Sequence, residues 1–300
     1  MTDDASIIAT CPARAAIAGN PSDGYGGAVL STPLDELVAS AAGRPADRFG
    51  IDAAGDDVHR LLDATSDEFE AMVGRLPPLE LSASTTIPRS VGLAGSSALI
   101  LAALRVLAAA TSTDWTPLDL AGAALRIERD RLSIVGGKQD PVVQAAGRPV
   151  LMDFASSDEL AAVTAVEFGP EIALFVAWDA GYTESSDVAH TILRRRASDP
   201  SRAPLIDELA RQAHAAVAAI RRRDVGAFAA TINRTFDLRR ELTEIDRRQI
   251  RLVEIGREAG AATNSAGSGG SVIGLADTIA DLSTLRSVYD RAGCGFLEIY

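Results

Sequence analysis

The chain has little cysteine: only Cys11 and Cys294 occur, near opposite ends of its 300 residues. That rules out a disulfide framework. Both are read as reduced core residues, and a cytoplasmic location is the setting that fits. Basic charge is also scarce, since 29 Lys and Arg against 41 Asp and Glu leave a formal net charge of −12. General nucleic-acid binding needs a basic face to meet phosphate, so no nucleic-acid partner is expected. Any anionic ligand must instead meet a local positive potential, built from a few arginines and helix N-termini. Long apolar runs are missing as well. The most apolar window, residues 98–110, is interrupted by Arg105 and falls short of a bilayer span, so no membrane partner is expected. The first residues are acidic and lack a basic region followed by an apolar one, so no secretory leader is expected. No repeat, low-complexity tract or clear linker stands out. Neither G-x-x-x-x-G-K-[ST] nor a G-x-G-x-x-G opening a βαβ unit occurs, which sets aside the P-loop enzymes and the common dinucleotide fold.

What is present is an ordinary soluble composition, 23% charged and 47% hydrophobic, with enough length to bury a large core. "SIIATCPARAAIAG" reads as an extended apolar segment broken at Pro12, followed by the turn-rich "NPSDGYGGAVL". Residues 34–76 carry helical spacing with acidic surface charge, and "LELSASTTIP" reads as a strand ending at Pro88. In "TPLDLAGAALRIERDRL", Thr116 is the expected N-cap and Pro117 the first helical residue. "PVLMDF" and "IALFVAW" read as strands, and residues 187–258 as mostly helical. Charge runs such as "RRELTEIDRRQIRLVEIGRE" read as solvated helix faces. The chain closes on "GCGFLEIY", a final strand. Strands at both ends with helices between them point to an α+β protein whose terminal strands share a sheet.

One stretch raises a sharper question. In "RSVGLAGSSALILAAL", residues 89–104, glycines and serines sit directly against what reads as the most buried helix. A helix N-terminus carries unpaired amides and the positive end of the macrodipole, and glycines before it let an anion reach the backbone. Ser96 or Ser97 could cap that helix and offer a hydroxyl to a metal ion held by the phosphates. By itself a glycine turn with a serine cap is commonplace.

Two other segments change the reading. "PRSVGLAGSSA" resembles the central motif of the GHMP kinases, the superfamily of galactokinase, homoserine kinase, mevalonate kinase and phosphomevalonate kinase. Here Ala94 and Gly95 stand where many members have a single glycine. "CPARAAIAGNPSDGYGG" is similar to the superfamily's first motif, and "TNSAGSGGSVIGL" to the C-terminal glycine-rich motif that packs beside the phosphate loop. All three fall in the expected order. The resemblance implies a two-lobed α+β fold, with a ribosomal protein S5 domain 2-like lobe over residues 1–165 and a ferredoxin-like lobe over 166–300.

It also implies ATP and Mg²⁺ as cofactors. Pro88, Gly92, Leu93, Ala94, Gly95, Ser96, Ser97 and Ala98 would cradle the nucleotide. Ser97, chosen over Ser96, and Glu128 in "LRIERD" would hold the metal; one or two carboxylates suffice for magnesium. Asp140, twelve residues after Glu128 and behind a glycine turn, resembles the catalytic aspartate of galactokinase-like members. Arg14 matches the basic residue of the first motif and would neutralise charge developing on the transferred phosphoryl group. Asp-Pro is also a common turn pair, and Glu128 by itself reads as an exposed glutamate beside an arginine.

For the acceptor, galactokinases have a Glu-His-Thr-Asp-Tyr run where this chain has Asn20, Pro21, Ser22, Asp23, Gly24 and Tyr25. The aspartate is kept and the Glu-His pair is lost. With "GNPSD", "GGKQDPVVQ…VLMDF" and "SSDVAHTILRRR", the chain looks most like the glucuronokinases, over residues 7–274. That likeness implies phosphorylation of the anomeric hydroxyl of D-glucuronate. Asn20, Ser22, Asp23, Tyr25, Asp140 and Arg194 are the expected substrate contacts. Arg194, Arg195 and Arg196 are candidates for the uronate carboxylate, although three consecutive helical residues cannot share one pocket. The alternatives are another sugar, a mevalonate-type alcohol, or an ATP- and sugar-binding sensor without turnover. A monomer or a homodimer is expected.

Overall fold

The computed structural model describes residues 6–134, 136–155, 160, 162–183 and 186–299. The acidic first five residues and Ser185 of "SSDVAHTILRRR" lie outside them. The chain runs β1 (Ile7–Ala18), β2 (Ala28–Pro45), β3 (Gly50–Asp52), α1 (Asp56–Val73), β4 (Leu79–Thr85), α2 (Gly95–Thr111), α3 (Pro117–Arg126), α4 (Gln139–Ala146), β5 (Val150–Asp153) and β6 (Ala162–Ala165). It continues through β7 (Ala173–Asp179), α5 (Ser186–Ala197), α6 (Ala203–Arg221), α7 (Val225–Leu242), α8 (Arg247–Glu258), β8 (Ala262–Ser265), β9 (Ser271–Ala276), α9 (Leu282–Arg291) and β10 (Cys294–Ile299).

The first sheet is organised by β2. One of its edges pairs with β1 along nearly the whole length, and the other is shared by β4 and β5, with β3 and β6 outside them. Pro12 does not break β1. A register shift between Pro12 and Ala13 absorbs the missing donor. Residues 34–52 correct the helical expectation: 34–45 belong to β2 and 50–52 to β3, with a bend between them, and helix begins only at Asp56. Neighbours on both edges satisfy the β2 backbone, and that tertiary pairing outweighs the local spacing of apolar residues.

The second sheet has the order β10-β7-β9-β8, antiparallel throughout. With α5 to α8 between β7 and β8, and α9 between β9 and β10, this is the βαββαβ connectivity and 4-1-3-2 order of a ferredoxin-like fold. The two terminal strands therefore do not share a sheet. β10 pairs with β7, whereas β1 pairs with β2. What joins the sheets is the turn after β8, where the Ala16 amide donates to the Ala266 carbonyl at 2.9 Å.

Helix α2 packs across β1 and β2 with almost no exposed side chain between Ser97 and Leu107, apart from Arg105. Arg105 is accommodated because its guanidinium reaches the carbonyls of Thr10 and Gln144. A main core joins α2 to both sheets, and a second, aromatic core stacks Phe175, Tyr289 and Phe296 between the second sheet and α8 and α9. Cys11 and Cys294 are buried and unpaired. Among the described residues, no helix is long and apolar enough to cross a membrane.

Candidate active site

The loop before α2 explains its glycines. Its carbonyls are turned inward and used: Val91 accepts from the Ser271 hydroxyl, Gly92 from Arg14 Nη1, Leu93 from the Arg14 amide and Ala94 from Gln144 Nε2. Successive peptide groups held this way aim their amides outward, and the first turn of α2 adds donors with no intrahelical acceptor. The loop bends through positive φ at Ser90, Gly92 and Ala94 (59°, 73° and 60°). Gly92 is required by contact as well as conformation, because a Cβ there would lie 2.8 Å from the Gly269 carbonyl oxygen. Conversely, a Cβ on Gly267 would meet the Gly92 oxygen at 2.0 Å. The two glycine-rich segments thus touch backbone to backbone.

Neither Ser96 nor Ser97 caps the helix. Ala94, in the left-handed region, is the N-cap and makes no side-chain cap bond. Ser96 is exposed at the helix start, while the buried Ser97 donates its hydroxyl to Glu128 Oε1 at 2.8 Å. The helix expected from Pro117 is in two pieces, because α3 passes into a π-helical turn at Ile127–Arg131. That turn presents Glu128 inward while Arg129, Asp130 and Arg131 face solvent. Glu128 is therefore not the exposed, arginine-paired residue of the plainer reading. Burial of its carboxyl, then the charge of Asp140, push it up to about 7. Thr116 and Pro117 do start α3 as expected, within a capping box completed by Asp119.

Arg14 sits near the middle of β1, 5% exposed, and forms a two-pronged pair with Asp140: Nε to Oδ1 at 2.6 Å and Nη2 to Oδ2 at 2.8 Å. Its remaining nitrogen, Nη1, ties the carbonyls of Gly92 and Ala266 together, at 2.7 and 2.9 Å. Asp140 lies in the first turn of α4, so its Asp-Pro pair opens a helix rather than a free turn. Asp23 is fully buried beside it and accepts from the backbone and side-chain amides of Gln139. Burial, reinforced by Asp140, raises Asp23 to about 6.

Arg14, Asn20, Asp23, Tyr25, Asp140 and Arg194 line one cavity, together with His190 and Arg239. Asn20 is held in place, donating to the Ser265 carbonyl and accepting from Asn264. Ser22 is not part of the lining; its hydroxyl is spent on the Ala28 carbonyl, closing the turn. Of the three arginines, only Arg194 lines the cavity, and Arg196 pairs with Glu244 elsewhere. None of residues 88–97 lines it, so the loop and the cavity are neighbours separated by the Arg14–Asp140 pair. A wider groove between α8 and α9 contains none of the expected residues.

Arg239 opens the charge run that reads as a solvated helix face, and the structure buries it instead. It is only 7% exposed, donating Nη1 to the Gly267 carbonyl at 2.8 Å and Nη2 to Ser268 at 3.3 Å. The signal was its position: Phe228, Ile232, Phe236 and Arg239 follow one another at helical spacing along the buried face of α7.

Comparison with known proteins agrees with this architecture. The GHMP kinases N terminal domain matches residues 58–148. A protein of Arabidopsis thaliana named probable glucuronokinase 2 is 28% identical over 87% of this chain and 82% of its own length. Glucuronokinase 1 of the same plant is 26% identical with the same coverage. Among solved structures, the phosphomevalonate kinase of Streptococcus pneumoniae in complex with phosphomevalonate and AMPPNP superposes with a TM-score of 0.83 at 16% identity, covering 98% of this chain and all of the other. The Lactococcus lactis galactokinase complexed with galactose gives 0.76 at 17% identity, covering 98% and 92%. The fold is that of the small-molecule kinases built on two such sheets, and residues 58–148 match the GHMP kinase N-terminal domain. In sequence the chain is glucuronokinase-like.

Proposed function

We propose that the protein is an ATP-dependent sugar kinase that phosphorylates the anomeric hydroxyl of D-glucuronate. The observation that carries this reading is the two-pronged Arg14–Asp140 pair, set between a loop of outward-facing amides and a polar cavity. Phosphoryl transfer demands positioning and charge neutralisation more than covalent chemistry by the protein. The loop and the start of α2 bind the phosphates of ATP. The substrate hydroxyl, held in the cavity, approaches the γ-phosphorus; its oxygen forms the new P–O bond while the bond to the bridging oxygen of ADP breaks. The hydroxyl proton passes to a carboxylate oxygen of Asp140, whose position the Arg14 fork fixes. Arg14 also balances negative charge accumulating between donor and acceptor.

Ser97 and Glu128 fit a magnesium ion chemically. They offer two hard oxygen donors in contact with each other, and burial leaves the Glu128 carboxyl without an ion-pair partner among the described residues. When bound, the ion would neutralise phosphate charge, with the remaining positions filled by phosphate oxygens and water. The glucuronate assignment is supported by the names of the two plant relatives and by the arginines of the cavity. The proposal includes a division between lobes near residue 165, supported by the end of the first sheet at Ala165 and the start of the second at Ala173. It also includes a cytoplasmic location, consistent with the unpaired cysteines.

The test is ADP release with Mg-ATP across D-glucuronate, D-galacturonate, D-galactose, D-glucose, inositol and mevalonate. Turnover with a uronic acid alone supports the reading. Turnover with a neutral sugar or mevalonate alone replaces the substrate, and ATP binding without turnover on any of them marks a sensor.

A further inference from the structure

Two guanidinium groups face the cavity from inside the protein, and among the described residues only one has an ion-pair partner. Arg14 has Asp140. Arg239 is as deeply buried, yet no carboxylate lies within ion-pairing distance among the described residues. Its acceptors are two neutral backbone carbonyls, Gly267 and Ser268, and its Nε is buried without a hydrogen-bond partner among the described residues. The nearby Asp23 attracts Arg239 only through space, from beyond ion-pairing distance, and its oxygens are held by Gln139. An arginine cannot shed its charge as a lysine can, so burial without an opposite charge is costly. Around the same cavity, Arg194 also lacks an ion pair among the described residues and lies near Tyr25. The cavity therefore carries an excess of positive charge in a chain whose overall charge is −12.

The missing anion has to come with a ligand, and the lining says which one. No residue of the phosphate loop borders the cavity, whereas Asn20, Tyr25 and Asp140, the acceptor side of the site, do. A phosphate has its own cradle next door. We propose that Arg239 is the counter-ion for the carboxylate of a sugar acid and is thus a specificity-determining residue that makes the enzyme select a uronate over a neutral sugar. Arg194 closes over the same carboxylate from the outer side. A site built to pair with a substrate group rejects the analogue lacking that group, because its own charge is left unpaired. This inference rests on the sugar-kinase reading above.

The experiment compares D-glucuronate with D-glucuronamide, which replaces the carboxylate by a neutral amide of the same size, in the wild type and in Arg239→Gln. Steady-state kinetics are read for each sugar and for ATP. The wild type is expected to prefer the acid by at least about a hundredfold in kcat/KM. In Arg239→Gln that preference should shrink to about tenfold or less. The loss should fall on the acid, mostly as KM, with the KM for ATP unchanged within about threefold. A wild type indifferent to the carboxylate overturns the inference without need of any variant. So does an Arg239→Gln enzyme that loses both sugars equally or loses ATP affinity, which would assign Arg239 to the phosphates or to the fold. Should Arg239→Gln fail to fold, Arg239→Lys, which keeps the charge and loses the fork, is expected to retain an intermediate preference, and a full preference there overturns the inference. If neither sugar is phosphorylated, the glucuronate reading falls. Calorimetric binding of acid and amide then decides Arg239 separately, a preference for the acid that Arg239→Gln abolishes supporting it and equal binding refuting it.

Discussion

Replacing Arg14 by methionine should cost both stability and activity, and the two costs can be separated. The Arg14 side chain is 6% exposed and that of Asp140 24%. Removing one partner of a buried pair typically costs about 3–5 kcal/mol, and partial access of water to Asp140 places this case near the low end, about 3 kcal/mol. The Gly92 carbonyl loses its Arg14 donor as well, worth about 1 kcal/mol. A total of about 4 kcal/mol corresponds to a fall in Tm of roughly 10 °C for a chain of this size. In the double variant Arg14→Met with Asp140→Leu, the stranded carboxylate is gone. About half or more of the lost stability should return, leaving the cost of the unpaired loop carbonyl. Activity should not return, because both the proton acceptor and the balancing charge are missing. Thermal unfolding followed by circular dichroism, together with ADP release, reads the two effects separately. A single variant within about 2 °C of wild type, or a double variant no more stable than the single one, would show that the pair is not the buried, mutually dependent unit described above.

Asp140→Asn should lower kcat by a factor of ~10² to ~10⁴ while ATP still binds, and loss of ATP affinity in that variant would give Asp140 a different role. Asp23 supplies a pH prediction. Its folded pKa of about 6 lies above the unfolded value of 3.8, so the protonated form is the one the fold favours. Its contribution is fully present below pH ~4 and is lost as pH rises through about 6. Asp23→Asn should flatten that part of the stability profile, by an amount on the order of 2–3 kcal/mol across the window, and an unchanged profile would count against the burial of an ionisable group there. Gly267→Ala brings a methyl group to 2.0 Å from the Gly92 oxygen and 2.8 Å from Arg14 Nη1. It should weaken nucleotide binding by at least about tenfold, whereas Gly50→Ala, which meets nothing within 4 Å, should leave binding unchanged. Equal affinities in an equilibrium titration would mean that the two glycine segments have room to move apart.

Local chemistry was legible wherever a residue's role rests on its immediate neighbours. The Thr116–Pro117 helix start and the terminal strand at Cys294–Ile299 are properties of short segments, and they formed as read. Residues 34–45 were misread although the competing signal was there: Ala39, Ala41 and Gly43 alternate inward along β2. With alanine, the two periods differ too little in buried area to compete, and pairing with β1 and β4 decided the outcome.

By itself the sequence determined the order of the three glycine and arginine motifs, the sparse charge of a chain that must concentrate its cations locally, and the residue types a phosphoryl-transfer site requires. Only the tertiary structure decided which of these residues meet. Arg14 and Asp140 are 126 positions apart, and Arg14 and Ala266 are 252 apart. No periodicity within a segment encodes a contact between segments. Ser22 turned inward to serve the Ala28 carbonyl across its own turn, and Arg239 turned into the cavity where the two sheets close around the turn after β8; in both places a backbone carbonyl buried away from water had to find a donor.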